Sequence, residues 1–463
     1  MVDWLEEVRK KQSDLLQILE GLLCIPSVRD DNLATQDCPV GPGPKAALLE
    51  CQDIAERIGL QTEVFGNVIL EANWGNQSEI LAILGHVDVV PVGEGWTSDP
   101  FLPYYRDGKL YARGVLDDKG PLVCVIFAVA LLKELGFEPR KQVRFIIGSD
   151  EESDWKCLKY YQTVRKLPKV GFVPDAYFPI VNGEKGNGVL SFSIADNHSV
   201  ESALTLVSFE AGERLNMVPS QASAIIETEY TDGLKQVFDD FLEKNREVTG
   251  ILSCEEDVVN VTLYGKSAHA SKPDKGVNAA TYLAVFLNHY HFSSEKANVF
   301  IECLAKLHKD YFGEGLGIAF SSKEMGPLTI NPGIINYQDG VINCDMRYPK
   351  EVNPEEACRN LRIDKDVRVD FTEKLAPHYV KLSSDLVKTL MKVYQKQTRT
   401  CSKSLVIGGA TYARLLEEGV AFGALFPESD DTMHQANESI QVEDLLRATA
   451  IYAEALYELV VVC

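Results

Sequence analysis

The chain has 463 residues, 45% of them hydrophobic and 25% charged, so two or three soluble globular domains are expected rather than one core. Its 46 basic and 68 acidic side chains leave a formal charge of −22, which argues against nucleic acid or an anionic membrane as partner and suits small substrates and cations. No apolar run is long enough to span a bilayer, and Met1-Val2-Asp3-Trp4 leads into no secretory signal. Eleven cysteines without close pairing read as reduced core thiols, which makes a cytoplasmic location the expectation.

Residues 3–23 set Trp4, Leu5, Val8, Leu15, Ile18, Leu19 and Leu22 on one stripe, predicting a helix that Ile25-Pro26-Ser27-Val28 ends. A second helix is expected over 44–58. Strands follow at 62–65, 68–72 and, as a continuous apolar run, 80–84. A helix over 120–135 and a strand over 142–147 complete a strand–helix–strand grammar, which predicts a mixed sheet flanked by helices. Near Gly183-Glu184-Lys185-Gly186 the character changes. Residues 187–375 hold alternating segments at 189–194, 258–263 and 341–346 and a helical stretch at 279–289, as an inserted α+β unit would. Helices over 384–394 and 444–457 flank Leu405–Gly409 and a loop carrying His434. The fold class is therefore α/β, with a discontinuous first domain (1–185 and 379–463) and an inserted domain (186–378).

The chemistry lies in four acidic stretches and two histidines. The stretches are Gly85-His86-Val87-Asp88-Val89, Arg113-Gly114-Val115-Leu116-Asp117-Asp118-Lys119-Gly120, Ser149-Asp150-Glu151-Glu152-Ser153 and Pro174-Asp175, followed downstream by Met433-His434. Three of the four acidic stretches follow or close an apolar run of strand character, where an open α/β sheet presents its ligands. Two histidines with several carboxylates form the ligand set of a hydrolytic zinc centre. Asp88, two residues after His86, can accept its second ring N–H and fix its tautomer, although a lone His-x-Asp is more often a strand-end pair without metal. Asp117-Asp118 opens a helix, where capping is the ordinary role. Glu151-Glu152 on a loop are ordinarily solvated. Yet neighbours at a strand end face different ways, so one can ligate metal while the other works on a water.

Taken together and in this order, these residues resemble the dinuclear zinc hydrolases that include carnosinases, aminoacylase, carboxypeptidase G and succinyl-diaminopimelate desuccinylase. The likeness is nearest to the PepV-type bacterial dipeptidases and covers essentially the whole chain. It is carried by Gly85–Pro91, Gly95-Trp96, Asp117–Pro121, Asp150–Lys156 and Phe172–Phe178. The resemblance implies a zinc-peptidase catalytic domain with an inserted lid. It implies that Asp117 bridges two zinc ions, that His86 and Asp175 complete one site, and that Glu152 and His434 complete the other. Manganese or cobalt would suit the same ligands. Glu151 is implied as the general base, Asp88 as the residue orienting His86, and the Asp117–Asp118 peptide as cis.

In the lid, the resemblance implies that His269 (Tyr264–Ala270) stabilises the oxyanion and that Asn216 (Arg214–Pro219) and Arg347 (Asp345–Pro349) meet the substrate. A planar guanidinium suits a bidentate hold on a terminal carboxylate. Gly409 and Thr411, in Gly408-Gly409-Ala410-Thr411, resemble a carboxylate-contacting turn. The expected activity is hydrolysis of dipeptides with free N-termini by a monomer. The alternatives are an N-acyl amino acid or succinyl-diamine deacylase and a non-catalytic binding protein. His198, His289, His291, His308 and His378 match no motif, and Gly183–Gly186 lacks the spacing of a phosphate-binding loop.

Overall fold

The computed structural model describes residues 2–195, 198–231, 233–364 and 366–462, and divides into two compact units. The first comprises Met1–Gly183, Tyr379–Leu405 and Ala410–Cys463; the second comprises Glu184–His378 and Val406–Gly409. Gly409 and Thr411, close in sequence, thus fall in different units.

In the first unit, consecutive sheet neighbours are Gln61–Phe65, Ile69–Trp74, Gln142–Gly148, Ile80–His86, Val170–Val173 and Glu418–Ala421. The first three pair antiparallel and the last four run parallel. Ile80–His86 is buried from its second residue onward, which explains why it reads as a continuous apolar run rather than an alternating one. Its register sets Ile83 beside both Phe145 and Phe172, and His86 beside Gly148. Parallel strands in register release their chains at one edge of the sheet. Asp88, the Asp150-Glu151-Glu152 turn and Asp175 therefore emerge together.

Helix Lys119–Glu134 is buried over nearly its whole length and packs against the equally buried helix Val442–Leu456. Lys119 itself is inside, donating from Nζ to the carbonyls of Leu22 (3.1 Å) and Ile25 (2.7 Å) at the end of helix Gln12–Leu23. It adds a buried donor to carbonyls at and just beyond the end of that helix, where intrahelical donors run out. The expected single helix over 3–23 is two, Trp4–Lys10 and Gln12–Leu23, interrupted at Lys11 (φ −112°, ψ 14°). The apolar stripe lapses between Val8 and Leu15, so no core contact holds one helix through that turn.

The second unit is an eight-stranded sheet in the order Thr249–Glu255, Val258–Tyr264, Gln221–Glu227, Thr205–Ala211, Thr329–Asn336, Val341–Tyr348, Gly186–Ile194, Val367–Leu375. Every pairing is antiparallel. Gly186–Ile194 alternates buried and half-buried residues without exception, the signature of a sheet with one covered face. Helices Leu234–Lys244, Ala279–Leu287 and Glu295–Lys306 supply that cover through Phe238, Phe286, Phe300 and their neighbours. The helix expected to reach His289 stops at Leu287, leaving His289 and His291 exposed. Among the described residues no helix is long and apolar enough to cross a membrane, and the ten described cysteines are free thiols.

Candidate metal centre

Asp117 lies between the two histidines. Its Oδ1 is 3.2 Å from His86 Nε2 and its Oδ2 is 2.9 Å from His434 Nε2. Asp175 Oδ2 approaches His86 Nε2 at 3.6 Å, and Glu152 Oε1 approaches His434 Nε2 at 3.1 Å. Two ligand-type clusters result, His86 with Asp117 and Glu152, and His86 with Glu151 and Asp175. Glu151 thus has a carboxylate oxygen within 4.8 Å of the His86 and Asp175 ligand atoms. Asp118 is turned away from this space. Its Oδ2 accepts the His86 backbone N–H at 3.2 Å, above Gly85, where a Cβ would fall 2.8 Å from that same oxygen. The peptide between Asp117 and Asp118 is cis.

The loops carrying these groups are anchored by carboxylates. Asp88 meets the His86 ring more closely through its backbone than through its side chain. His86 Nδ1 is 2.9 Å from the Asp88 backbone carbonyl but 3.5 Å from its Oδ1. The Asp88 carboxylate also accepts the N–H of Glu151 (3.0 Å) and of Glu152 (3.1 Å), fixing the acidic turn to the end of the His86 strand. Arg29 ties the same turn down through Asp150 (3.0 Å) and Asp154 (2.9 Å). Glu438, fully buried, accepts the N–H of Gly114 (3.0 Å), Leu116 (2.8 Å) and Asp117 (3.2 Å) and the Arg113 guanidinium (2.8 Å). It joins the His434 loop to the Asp117 loop. His434 and Asn437 hold left-handed backbone (φ 62° and 59°), a conformation that persists when surrounding contacts over-determine it.

Sequence reasoning did not single out Glu438, Arg29 or Arg113. Glu438 sits among polar neighbours, and nothing local separates it from a surface acid. Its partner Arg113 lies 325 residues away. Tyr412 was also missed. It is buried, edge-on to the His86 ring at 6.4 Å and to Trp155 at 5.2 Å, with its hydroxyl 3.1 Å from Cys157 Sγ.

Charge is the dominant property of the site. Burial pushes Glu151 well above the ordinary carboxylate range, Glu152 up to about 7 and Asp175 up to about 6, with neighbouring acids adding to each. Burial opposes the imidazolium forms, but the surrounding carboxylates, Asp117 first at both rings, outweigh it. They raise His86 well above its usual value and His434 to about 11. For Asp117 the two histidines overcome burial and hold the carboxyl below its ordinary range. Fully ionised, Asp117, Asp118, Glu151, Glu152 and Asp175 would outnumber two protonated rings, and the raised values of the last four reflect what that charge costs in a buried site.

Such an excess of buried carboxylate calls for cations. The fit is also local: His86 Nε2 and Asp117 Oδ1 are buried and make no hydrogen bond, although they face each other at 3.2 Å. Ligand atoms about 2.0–2.1 Å from a tetrahedral zinc stand roughly 3.3 Å apart, close to the separations found here. A nitrogen–oxygen donor set of two imidazoles and several carboxylates suits zinc, and also manganese or cobalt.

The remaining predicted residues lie as follows. In the second unit, His269 and Asn216 are exposed and adjacent, because the Ala270 N–H donates to the Asn216 carbonyl at 2.9 Å and Met217 bridges His269. Arg347 is buried with its fork on Asp345, Nε at 2.6 Å and Nη2 at 2.8 Å, while Nη1 donates to the Gly408 carbonyl at 2.5 Å. Gly409 is half-buried beside it in sequence. In the first unit, the Thr411 hydroxyl accepts the Ala413 N–H at 3.2 Å, capping a short 3₁₀ turn.

Comparison with known proteins agrees with this architecture. The chain is 39% identical over 473 residues to a Staphylococcus haemolyticus protein described as a "putative dipeptidase", covering 99% of each chain. A Staphylococcus epidermidis protein with the same description is 39% identical over 471 residues, again with 99% of each chain covered. Among solved structures, human carnosine dipeptidase 1 shares the fold with a TM-score of 0.55 at 15% identity, over 98% of each chain. A di-peptidase from Saccharomyces cerevisiae matches with a TM-score of 0.55 at 13% identity, over 98% of each chain. The model of peptidase family M20/M25/M40 matches residues 82–458, from the strand bearing His86 to the helix after His434, and the chain belongs to that family.

Proposed function

We propose that this chain is a zinc-dependent dipeptidase acting on dipeptides with free N-termini. The observation that carries the reading is the Asp117 carboxylate, one oxygen toward His86 and the other toward His434, as a bridge between two metal sites requires. His86 and Asp175 would complete one site, and Glu152 and His434 the other. Two bound zinc ions would lower the pKa of a shared water and polarise the scissile carbonyl.

The chain's own residues handle the protons. Glu151, raised by burial, takes a proton from the attacking water and passes it to the leaving amine. Asp88 holds the Glu151 backbone through its N–H, so the base keeps its orientation. The Asp88 carbonyl accepts a hydrogen bond from the His86 Nδ1–H, leaving Nε2 as the ligand atom. His269 is assigned to the oxyanion, Asn216 to the substrate, and Arg347, with Gly409 and Thr411, to the terminal carboxylate. A guanidinium has five N–H donors, and the three engaged by Asp345 and Gly408 leave two for that purpose.

The relatives described as dipeptidases, 39% identical along the whole chain, support this substrate class. A panel of dipeptides, tripeptides and N-acyl amino acids, assayed with zinc-loaded protein, tests it. Cleavage confined to dipeptides is expected. Cleavage of acylated substrates alone would make the chain a deacylase, and no cleavage at full zinc content would make it a binding protein. Light scattering is expected to give a monomer.

A further inference from the structure

One arrangement in the inserted unit plays no part in the metal chemistry. His269 Nδ1 lies 2.7 Å from Ser271 Oγ and accepts the Ser271 backbone N–H at 3.2 Å. A backbone N–H can only donate, so Nδ1 presents its lone pair and the neutral ring carries its hydrogen on Nε2. The serine hydroxyl then donates to the same Nδ1. Both bonds come from one residue, so the placement of Ser271 bears directly on the ring's tautomer and orientation.

Ser271 is fixed from its other side. A Cβ on Gly408 would fall 2.5 Å from Ser271 Cβ, closer than real Cβ contacts come. Only glycine lets the backbone at 408 pack directly on this serine. The Gly408 carbonyl accepts from Arg347 Nη1 at 2.5 Å, and Asp345 grips Arg347 through Nε and Nη2. Asp345, Arg347, Gly408, Ser271 and His269 form one unbroken run of contacts, all within the inserted unit.

We propose that Ser271 is a positioning residue that locks His269 in its Nε2–H form, and that Gly408 sets Ser271 by the position of Arg347. The tautomer stands on geometry alone. Its effect on turnover rests on the proposed roles of His269 at the oxyanion and Arg347 at the substrate carboxylate.

The test is two-bond nitrogen–proton NMR of zinc-loaded full-length protein labelled with ¹⁵N-histidine, with the His269 signals assigned by their loss in His269→Gln. An Nε2–H pattern is expected in the parent and in Ser271→Thr, which keeps the hydroxyl. Ser271→Ala keeps the backbone N–H and loses the hydroxyl, so it is expected to raise the Nδ1–H fraction while Nε2–H stays the majority form, and to lower kcat about five- to tenfold with KM within about twofold, the size of one lost hydrogen bond. Gly408→Ala is expected to move the His269 signals the same way, at unchanged zinc content. An Nδ1–H or evenly mixed parent, or unchanged His269 signals in Ser271→Ala, would overturn the assignment. Unchanged signals in Gly408→Ala would overturn the link to Arg347. An Nε2–H signature in a parent that cleaves no peptide leaves the tautomer standing and removes the dipeptidase reading instead.

Discussion

The two units solve different problems with different sheets. In the first, parallel strands bring His86, the Glu151-Glu152 turn and Asp175 to one edge, and buried carboxylates of Asp88 and Glu438 fix the backbone beneath them. In the second, an antiparallel sheet carries His269 and Asn216 on exposed turns, with only Arg347 held inside a strand. Metal chemistry needs ligand atoms placed to a few tenths of an ångström, and the first unit spends its buried polar groups on that. Recognition tolerates, and often uses, groups on loops.

The largest expected effect that would break this contrast is at the bridge. Asp117→Asn removes the carboxylate that lies 3.2 Å from His86 and 2.9 Å from His434, and zinc measured by elemental analysis is expected to fall from about two per chain to one or fewer, with loss of turnover. Retention of both ions would move the bridge elsewhere. Next comes Glu438→Ala, which strands the buried Arg113 guanidinium and frees three N–H groups. Unfolding by denaturant is expected to show a loss of about 3–5 kcal/mol, together with weaker zinc binding. A change below about 1 kcal/mol, the ordinary effect of a surface site, would contradict the anchoring role.

Arg347→Lys keeps the charge but not the fork, and KM for dipeptides is expected to rise at least about tenfold with zinc content unchanged. An unaltered KM would detach Arg347 from the substrate. The last test is the pH dependence of the zinc-free protein. Glu152 and Asp175 have folded values raised to about 7 and about 6, so the folded state binds more protons than the unfolded one between pH 4 and 7. The zinc-free fold should therefore lose stability as pH rises from about 5 to about 7.5, and zinc should remove the loss. Denaturation curves with and without zinc across that range check the sign. Parallel curves would contradict it.

Much of this was legible in the sequence, for definable reasons. The strand at 80–84 and the helix at 120–135 could be read because elements buried on all sides are continuously apolar. The metal-ligand candidates could be read because they follow strand ends in a recognisable order. What could not be read depends on partners remote in sequence or on side-chain direction. Spacing pointed the Asp88 carboxylate at His86, 3.5 Å away, but could not show that it also binds the backbone 63 and 64 residues on. Glu438 gains its importance only from loops more than 320 residues before it. Arg347 read as a hand open to substrate, and its pairing with Asp345 two residues away on the same strand shows only in the fold.

Glu151 is where the account is most exposed, because the geometry groups it with His86 and Asp175 as readily as it leaves it a base. Glu151→Ala, assayed for dipeptide hydrolysis and for zinc content on the same preparation, decides between these roles. The account predicts about two zinc ions per chain retained and turnover reduced by about 10²–10⁴-fold or more, as loss of a general base requires. Loss of a zinc ion would make Glu151 a ligand, and full turnover would remove it from the reaction.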